Sequence, residues 1–207
     1  MLIGLDFDNT LISYGHVFRE LAIEFGLAPL SILPDKTAVR THVWAEHDDI
    51  EWQKLQAQAY GPRIGQGQFM DGAADFLHLC RKNGVDLCVV SHKSKYASID
   101  PGGFNLRTAA LGWMEEQGFF SPLKNGGFGF HFHEIFFETT RSEKIARIND
   151  LGCDVFVDDL VEVLSHEDLK STIERILFQE QSVDTSEYTL AGPWSCISEY
   201  LFSRRLA

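Results

Sequence analysis

The sequence predicts an α/β protein, a parallel sheet flanked by helices, with a small helical segment inserted after the first strand. Three observations carry that expectation. Short apolar runs alternate with helix-period segments from residue 71 onward. The opening run, Met1 to Leu5, is mostly apolar, as a strand covered on both faces would be. Three such runs end in polar side chains able to do chemistry, and parallel sheets bind their ligands outside the carboxyl ends of their strands.

Along the chain, His16 to Phe25 (HVFRELAIEF) has apolar residues at helical spacing and stops before Gly26. Asp35 to Tyr60 shows no strand-like alternation, and the acidic break at Asp48-Asp49 divides it into two helices. The cluster Glu46, His47, Asp48, Asp49 and Glu51 therefore reads as a capped helix junction rather than a second metal site. Residues 14–68 form the helical insertion, leaving 1–13 and 69–207 as the α/β core. Within that core, DGAADFLHLCRKNG is a helix closed by Gly84, and VDLCVV is a strand ending at Ser91. Phe104 to Gln117 is helical. The Gly-rich, aromatic stretch SPLKNGGFGFHFHEIFFETT forms a flap leading into a strand at Ile135 to Phe137, with His131 and His133 on one face of it. Ser142 is expected to cap a helix running to Asp150, and Asp154 to Val157 is a strand ending in Asp158 and Asp159. An edge strand near Arg175 to Phe178 and a helix from about Pro193 complete the tail.

Composition narrows the function classes. A chain of 207 residues with 44% hydrophobic content is long enough to bury a core of its own. Its formal net charge of -12 argues against a nucleic-acid binder, which carries a basic patch or stripe. A small phosphorylated ligand stays compatible with that charge, because a bound cation supplies positive charge locally. Cys80, Cys88, Cys153 and Cys196 form no C-x-x-C pair, so neither a zinc knuckle nor a disulfide framework is indicated, and a reducing cytoplasm is the expected location. No apolar run approaches the roughly 18 residues of a membrane helix, so no membrane partner is expected.

The strand ends hold the candidate chemistry. Asp6 and Asp8 stand at i and i+2, which on an extended strand directs both carboxylates to one side, where like charges repel unless a proton or cation intervenes. A local turn in which Asp8 and Asn9 bond the backbone is the plain alternative for this stretch. Ser91 and the pair Asp158 and Asp159 follow two other strands, so one crevice gathers all of these groups. Hard carboxylate oxygens in that number suit Mg²⁺.

An Asp pair in DFDNT (Asp6, Asp8, Thr10), Ser91 in VVSHKS, Lys144 in RSEK and the acidic pair in VFVDD resemble, in order and context, the four signatures of the haloacid dehalogenase (HAD) superfamily. The resemblance spans Asp6 to Asp159 but not the helical insertion. It implies a Rossmann-like core with a cap inserted after the first strand. It further implies that Asp6 is a nucleophile forming an aspartyl-phosphate, and that Asp8 protonates the leaving oxygen and later activates water while its backbone carbonyl faces the metal. Ser91 and Lys144 would then balance phosphoryl charge. The family often spaces its last acidic pair, whereas here the acids are adjacent; Asp159 is the first choice as direct ligand, with Asp158 helping through water or backbone hydrogen bonds. Thr10, Asn9, Ser91, His92 and Lys93 are the candidate substrate-binding residues.

Dehalogenases of that superfamily lack the residue corresponding to Asp8, whereas phosphatases and phosphomutases use it. The expected activity is thus Mg²⁺-dependent hydrolysis of a phosphate monoester, with a small phosphorylated metabolite as partner because the resemblance implies a cap. His16, Arg19, Arg40, His42 and Trp44 are candidates for the cap's lining. A phosphomutase or phosphotransferase of the same superfamily, and a non-catalytic binding module retaining the fold, are the alternatives.

Overall fold

A computed structural model describes residues 1–100, 103–181 and 188–203. They fall into two compact units: 1–12 with 69–92 and 118–207, and 13–68 with 93–117.

The first unit is built on six parallel strands: β1 (Leu2–Leu5), β2 (Asp86–His92), β3 (Ile135–Glu138), β4 (Val155–Asp158), β5 (Glu174–Phe178) and β6 (Leu190–Gly192). Their order across the sheet is β3-β2-β1-β4-β5-β6. This is the α/β Rossmann-like architecture the sequence predicts. β5 is not the edge strand expected from sequence, because β6 pairs beyond it, Ile176 opposite Leu190. That three-residue strand is too short to announce itself by alternation.

Both sheet faces are covered. On one face Cys88, Val90, Phe156, Leu177 and Ala191 pack with Ile145 and Ile148 of helix α6 (Arg141–Leu151) and with Val163 and Leu164 of α7 (Val161–Leu164). Helices α4 (Ala73–Lys82) and α8 (Trp194–Ser203) pack on each other, with the Phe76 and Trp194 rings 4.5 Å apart. Each large apolar side chain buried here contributes about 1.5–3 kcal/mol. Gly4 is required by close approach rather than by torsion: a Cβ there would stand 2.6 Å from the Phe156 ring and 2.9 Å from Cys153 Sγ.

Helix α6 is capped two residues upstream of the position the sequence suggests. Thr140, not Ser142, accepts the Glu143 amide, and the Glu143 carboxylate accepts the Thr140 amide in return, a reciprocal box that satisfies two otherwise orphaned donors. Gly152 closes the helix in the left-handed region at φ 67°. His131 and His133 do not share a flap strand. Gly126 and Gly129 take positive φ, Phe132–Glu134 forms a 3₁₀ turn tied by Glu134 to the His131 amide, and the two imidazoles stack 5.3 Å apart.

The second unit contains α1 (Gly15–Glu24), α2 (Lys36–Glu46), α3 (Asp49–Ala59) and α5 (Leu106–Glu116). The junction of α2 and α3 is a cap, with Asp48 accepting the Glu51 amide and Asp49 accepting from the Trp44 indole. Phe18 stacks on Trp52 at 4.8 Å between α1 and α3, in a core shared with Val39, Val43 and Leu55. The sequence-based division assigns 93–117 to the core, whereas the structure groups it with these helices. Its ties are specific: the Trp113 indole donates to the Gly67 carbonyl at 2.9 Å, and α5 begins beside Lys95, whose carbonyl accepts the Leu106 amide. Among the described residues no helix is long and apolar enough to cross a membrane.

Candidate active site

The register of the sheet assembles the site. Leu5 lies opposite Val89 on one side and Val157 on the other, and the Asp6 amide donates to the Val157 carbonyl at 2.9 Å. Asp6, Ser91 and Asp158 therefore stand at nearly the same level, at the carboxyl ends of three adjacent strands. The strand stops at Leu5, and the following loop folds back on itself: the Phe7 carbonyl accepts from Leu11 and Ile12, and Asn9 takes φ 64°. A non-glycine residue at positive φ is uncommon and Asn tolerates it better than most, so Asn9 serves the turn here. The Thr10 carbonyl is held from the other side by the Trp194 indole at 3.0 Å.

Lys144 is the centre of the arrangement. It projects from the first turn of α6, is 1% exposed, and donates to Asp6 Oδ1 and to Asp158 Oδ2, each at 2.6 Å. Its ammonium also lies 5.6 Å from the Phe156 ring, the same ring that Gly4 makes room for. The two carboxylates hold its pKa above the ordinary lysine value against the opposing pull of burial. Asp6 is pushed up to about 7, chiefly by burial; the Lys144 charge and hydrogen bond pull it down, and the Asp158 and Asp8 charges push it up. A carboxyl poised near neutrality is thus built from counteracting neighbours.

Asp6, Asp158 and Asp159 each offer an oxygen, and the three oxygens lie within 4.8 Å of one another. This is an all-oxygen, hard donor set, which fits Mg²⁺ or a similar hard cation. Asp8, half-buried, is not in that side-chain cluster. The adjacent acids are treated differently: both oxygens of Asp158 are engaged, Oδ1 by the Leu160 amide and Oδ2 by Lys144, whereas half-buried Asp159 lies 3.4 Å from the Thr10 hydroxyl. The Ser91 hydroxyl is buried, with no hydrogen-bond partner among the described residues. Leaving such a donor unmet in the folded protein costs about 1–3 kcal/mol, which a ligand oxygen would recover.

Other sequence-derived candidates have contacts of their own. His92, at the exposed end of β2, meets the Thr139 carbonyl at 2.9 Å. Lys93 belongs to the second unit, buried with its ammonium 5.1 Å from the Tyr60 ring. His16 bonds the Gln66 carbonyl and Arg19 the carbonyls of Leu30 and Ile32, so both are structural ties within the helical unit. Sequence reasoning missed Phe156 and Trp194 as supports of the site, since nothing distinguishes a supporting aromatic from any other core residue before the register is known.

The fold, a parallel sheet in this strand order flanked by helices, is similar to that of solved structures described as haloacid dehalogenase (HAD) superfamily hydrolases. The chain is similar over nearly its whole length to three solved structures. A HAD-superfamily hydrolase from Ehrlichia chaffeensis is 13% identical with TM-score 0.55, over 98% of this chain and 96% of that one. A HAD family hydrolase from Deinococcus radiodurans, solved with bound phosphate and sodium, is 14% identical with TM-score 0.55, over 99% and 96%. A haloacid dehalogenase-like family hydrolase from Xanthomonas campestris is 12% identical with TM-score 0.53, over 100% and 95%. No protein-family model matches the chain, and no curated protein matches it significantly.

Proposed function

We propose that this protein is a Mg²⁺-dependent phosphatase that hydrolyses a small phosphate monoester through an aspartyl-phosphate on Asp6. The observation that carries the reading is the Lys144 ammonium held at 2.6 Å from both Asp6 and Asp158, beside a third carboxylate and an unmet buried hydroxyl. That set matches what phosphoryl transfer needs: a carboxylate nucleophile, positive charge for the nonbridging oxygens and a neutral donor. The phosphate in the Deinococcus radiodurans neighbour supports an anion of this type in the fold.

Asp6, Asp159 and Asp158 would hold the cation, with Asp159 the direct ligand from the last pair because Asp158 is already committed to Lys144 and Leu160. When bound, Mg²⁺ supplies charge neutralisation for the phosphoryl oxygens and lowers the proton affinity of the nearby carboxylates. The chain's own groups do the rest. Lys144 fixes Asp6 Oδ1, and an Asp6 oxygen attacks phosphorus. Ser91 donates its hydroxyl hydrogen to a phosphoryl oxygen. Asp8, close enough to Asp6 for its charge to be felt there, protonates the departing alkoxide and then takes a proton from the water that attacks the aspartyl-phosphate. The second bond cleavage releases phosphate and returns the Asp6 carboxylate. Thr10 holds the half-buried Asp159 side of the site.

The test is release of inorganic phosphate from a panel of sugar, nucleotide and hydroxy-acid phosphates, with and without Mg²⁺. Turnover that depends on the metal supports the reading; full turnover in exhaustively chelated buffer refutes it. A mutase would return the phosphoryl group to its substrate instead, and isomerised ester without free phosphate would identify that alternative.

A further inference from the structure

Thr10 ends the acidic loop that begins at Asp6, and it is gripped from outside that loop. The indole of Trp194, fully buried at the start of α8, donates to the Thr10 carbonyl at 3.0 Å across 184 positions of sequence. Within the loop, the Phe7 carbonyl accepts from Leu11 and Ile12, and the Asn9 amide donates to the Ile12 carbonyl at 2.9 Å. The loop is thus closed on itself and tied outward at the Asp6 amide, at the Thr10 carbonyl, and at the Leu11 carbonyl, which accepts from Met70. The indole is held in turn, with the Phe76 ring of α4 4.5 Å away and the Phe178 ring at the end of β5 5.4 Å away. Pro193 stands before it with its carbonyl accepting the Ile197 amide at 3.1 Å, so α8 starts at a stiff point. Thr10 is itself fully buried, and its hydroxyl donates to Asp159 Oδ1 at 3.4 Å. That is long for an O–H···O bond, so a small displacement of Thr10 decides whether Asp159 is held.

We infer that Trp194 is a positioning residue for this site: by anchoring the Thr10 carbonyl to α8 it directs the Thr10 hydroxyl at Asp159, and so sets the affinity of the carboxylate cluster for a divalent cation. The inference rests on the metal site of the phosphatase reading but needs no phosphoryl transfer. Hydrogen bonds behind a metal ligand fix the direction of its oxygen, and losing one typically weakens metal binding about 10–100-fold. A phenylalanine at 194 keeps an aromatic ring against Phe76 and Phe178 but has no N–H, which isolates the hydrogen bond from the packing.

The experiment is calorimetric titration of the full-length protein with Mg²⁺ in phosphate-free buffer. Wild type is compared with Trp194→Phe, Thr10→Val, their double variant and Trp113→Phe, each checked for native circular dichroism. Trp113→Phe is the matched control, because its buried indole also donates to a backbone carbonyl, that of Gly67 at 2.9 Å, inside the helical unit. The expected result is binding weakened about tenfold in Trp194→Phe and in Thr10→Val, with no further loss in the double variant. Trp113→Phe is expected to keep wild-type affinity despite a comparable fall in Tm. Wild-type affinity in folded Trp194→Phe, an equal loss in Trp113→Phe, or losses that multiply in the double variant overturn the inference. In wild type alone, the Trp194 Nε1–H proton resonance is expected to move with added Mg²⁺ and saturate at the calorimetric Kd, while that of Trp113 stays. An unmoved Trp194 resonance overturns the inference even where Trp194→Phe fails to fold. Wild type that binds no Mg²⁺ overturns both the inference and the phosphatase reading, whereas this coupling in a protein that hydrolyses no ester supports the inference and counts against the phosphatase reading alone.

Discussion

Asp6→Asn separates stability from activity, and the size of the effect follows from the site. In the metal-free protein the Asp6 carboxyl titrates at about 7 instead of 3.8, so the folded chain holds a proton that the unfolded chain has already lost. Between those values the native state binds more protons than the unfolded state, and stability falls as pH rises. At about 1.36 kcal/mol per pH unit, the interval amounts to about 4 kcal/mol, present as stability below about pH 4 and lost by about pH 7–8. The substituted asparagine carries no titrating carboxyl and is spared that loss. The difference in unfolding free energy, variant minus wild type, is therefore expected to grow by about 4 kcal/mol between about pH 4 and pH 8. Urea denaturation in EDTA across that range measures it. Adding Mg²⁺ at the alkaline end narrows the gap by stabilising wild type more than the variant, while the variant stays inactive throughout. A stability difference that does not change with pH refutes the assignment of Asp6 as a carboxyl pushed up by burial.

Three further substitutions probe its neighbours. Ser91→Ala removes a buried hydroxyl that lacks a partner among the described residues, so thermal stability is expected to hold or rise slightly while kcat/KM for phosphate release falls; a loss of stability without loss of activity contradicts the role given to it. Asp8→Asn is expected to slow alkyl phosphates by roughly 10²–10⁴-fold but p-nitrophenyl phosphate much less, since that leaving group scarcely needs a proton. Equal losses on both esters, with a large drop in Mg²⁺ affinity, would make Asp8 a ligand only. Gly4→Ala forces a methyl to 2.6 Å from the Phe156 ring, which is expected to cost about 1–3 kcal/mol in denaturant titration and to disturb Lys144 beside that ring; unchanged stability would show that the ring gives way freely.

Much of the core was legible because its signals are local. An apolar run followed by a carboxylate marks a strand end in sequence alone, and the helix junction at Asp48 is written in its capping residues. What escaped depends on partners distant in sequence. β6 is recognisable only once β5 offers it an edge, so β5 read as the last strand. Thr140 and Ser142 are both competent caps, and the reciprocal bond with Glu143 decided between them. The alternation at His131 and His133 mimics a strand, but after an extended His131 the 3₁₀ turn Phe132–Glu134 takes the backbone out of extension. At the site, sequence order proposed the groups, yet the partners that hold Asp158, the Leu160 amide and the Lys144 ammonium, are visible only in the fold. Lys93 shows the same limit: it follows Ser91 closely in sequence, and only the fold sets it against Tyr60.

The central claim is that Asp6 carries the phosphoryl group, and borohydride trapping tests it most directly. Protein turning over a phosphate ester with Mg²⁺ is quenched and reduced, which converts an aspartyl-phosphate to homoserine, and the product is mapped by peptide mass spectrometry. Homoserine in place of Asp6, dependent on both ester and Mg²⁺, is the result this account requires. Continued turnover with Asp6 unmodified, or trapping at another carboxylate, contradicts it.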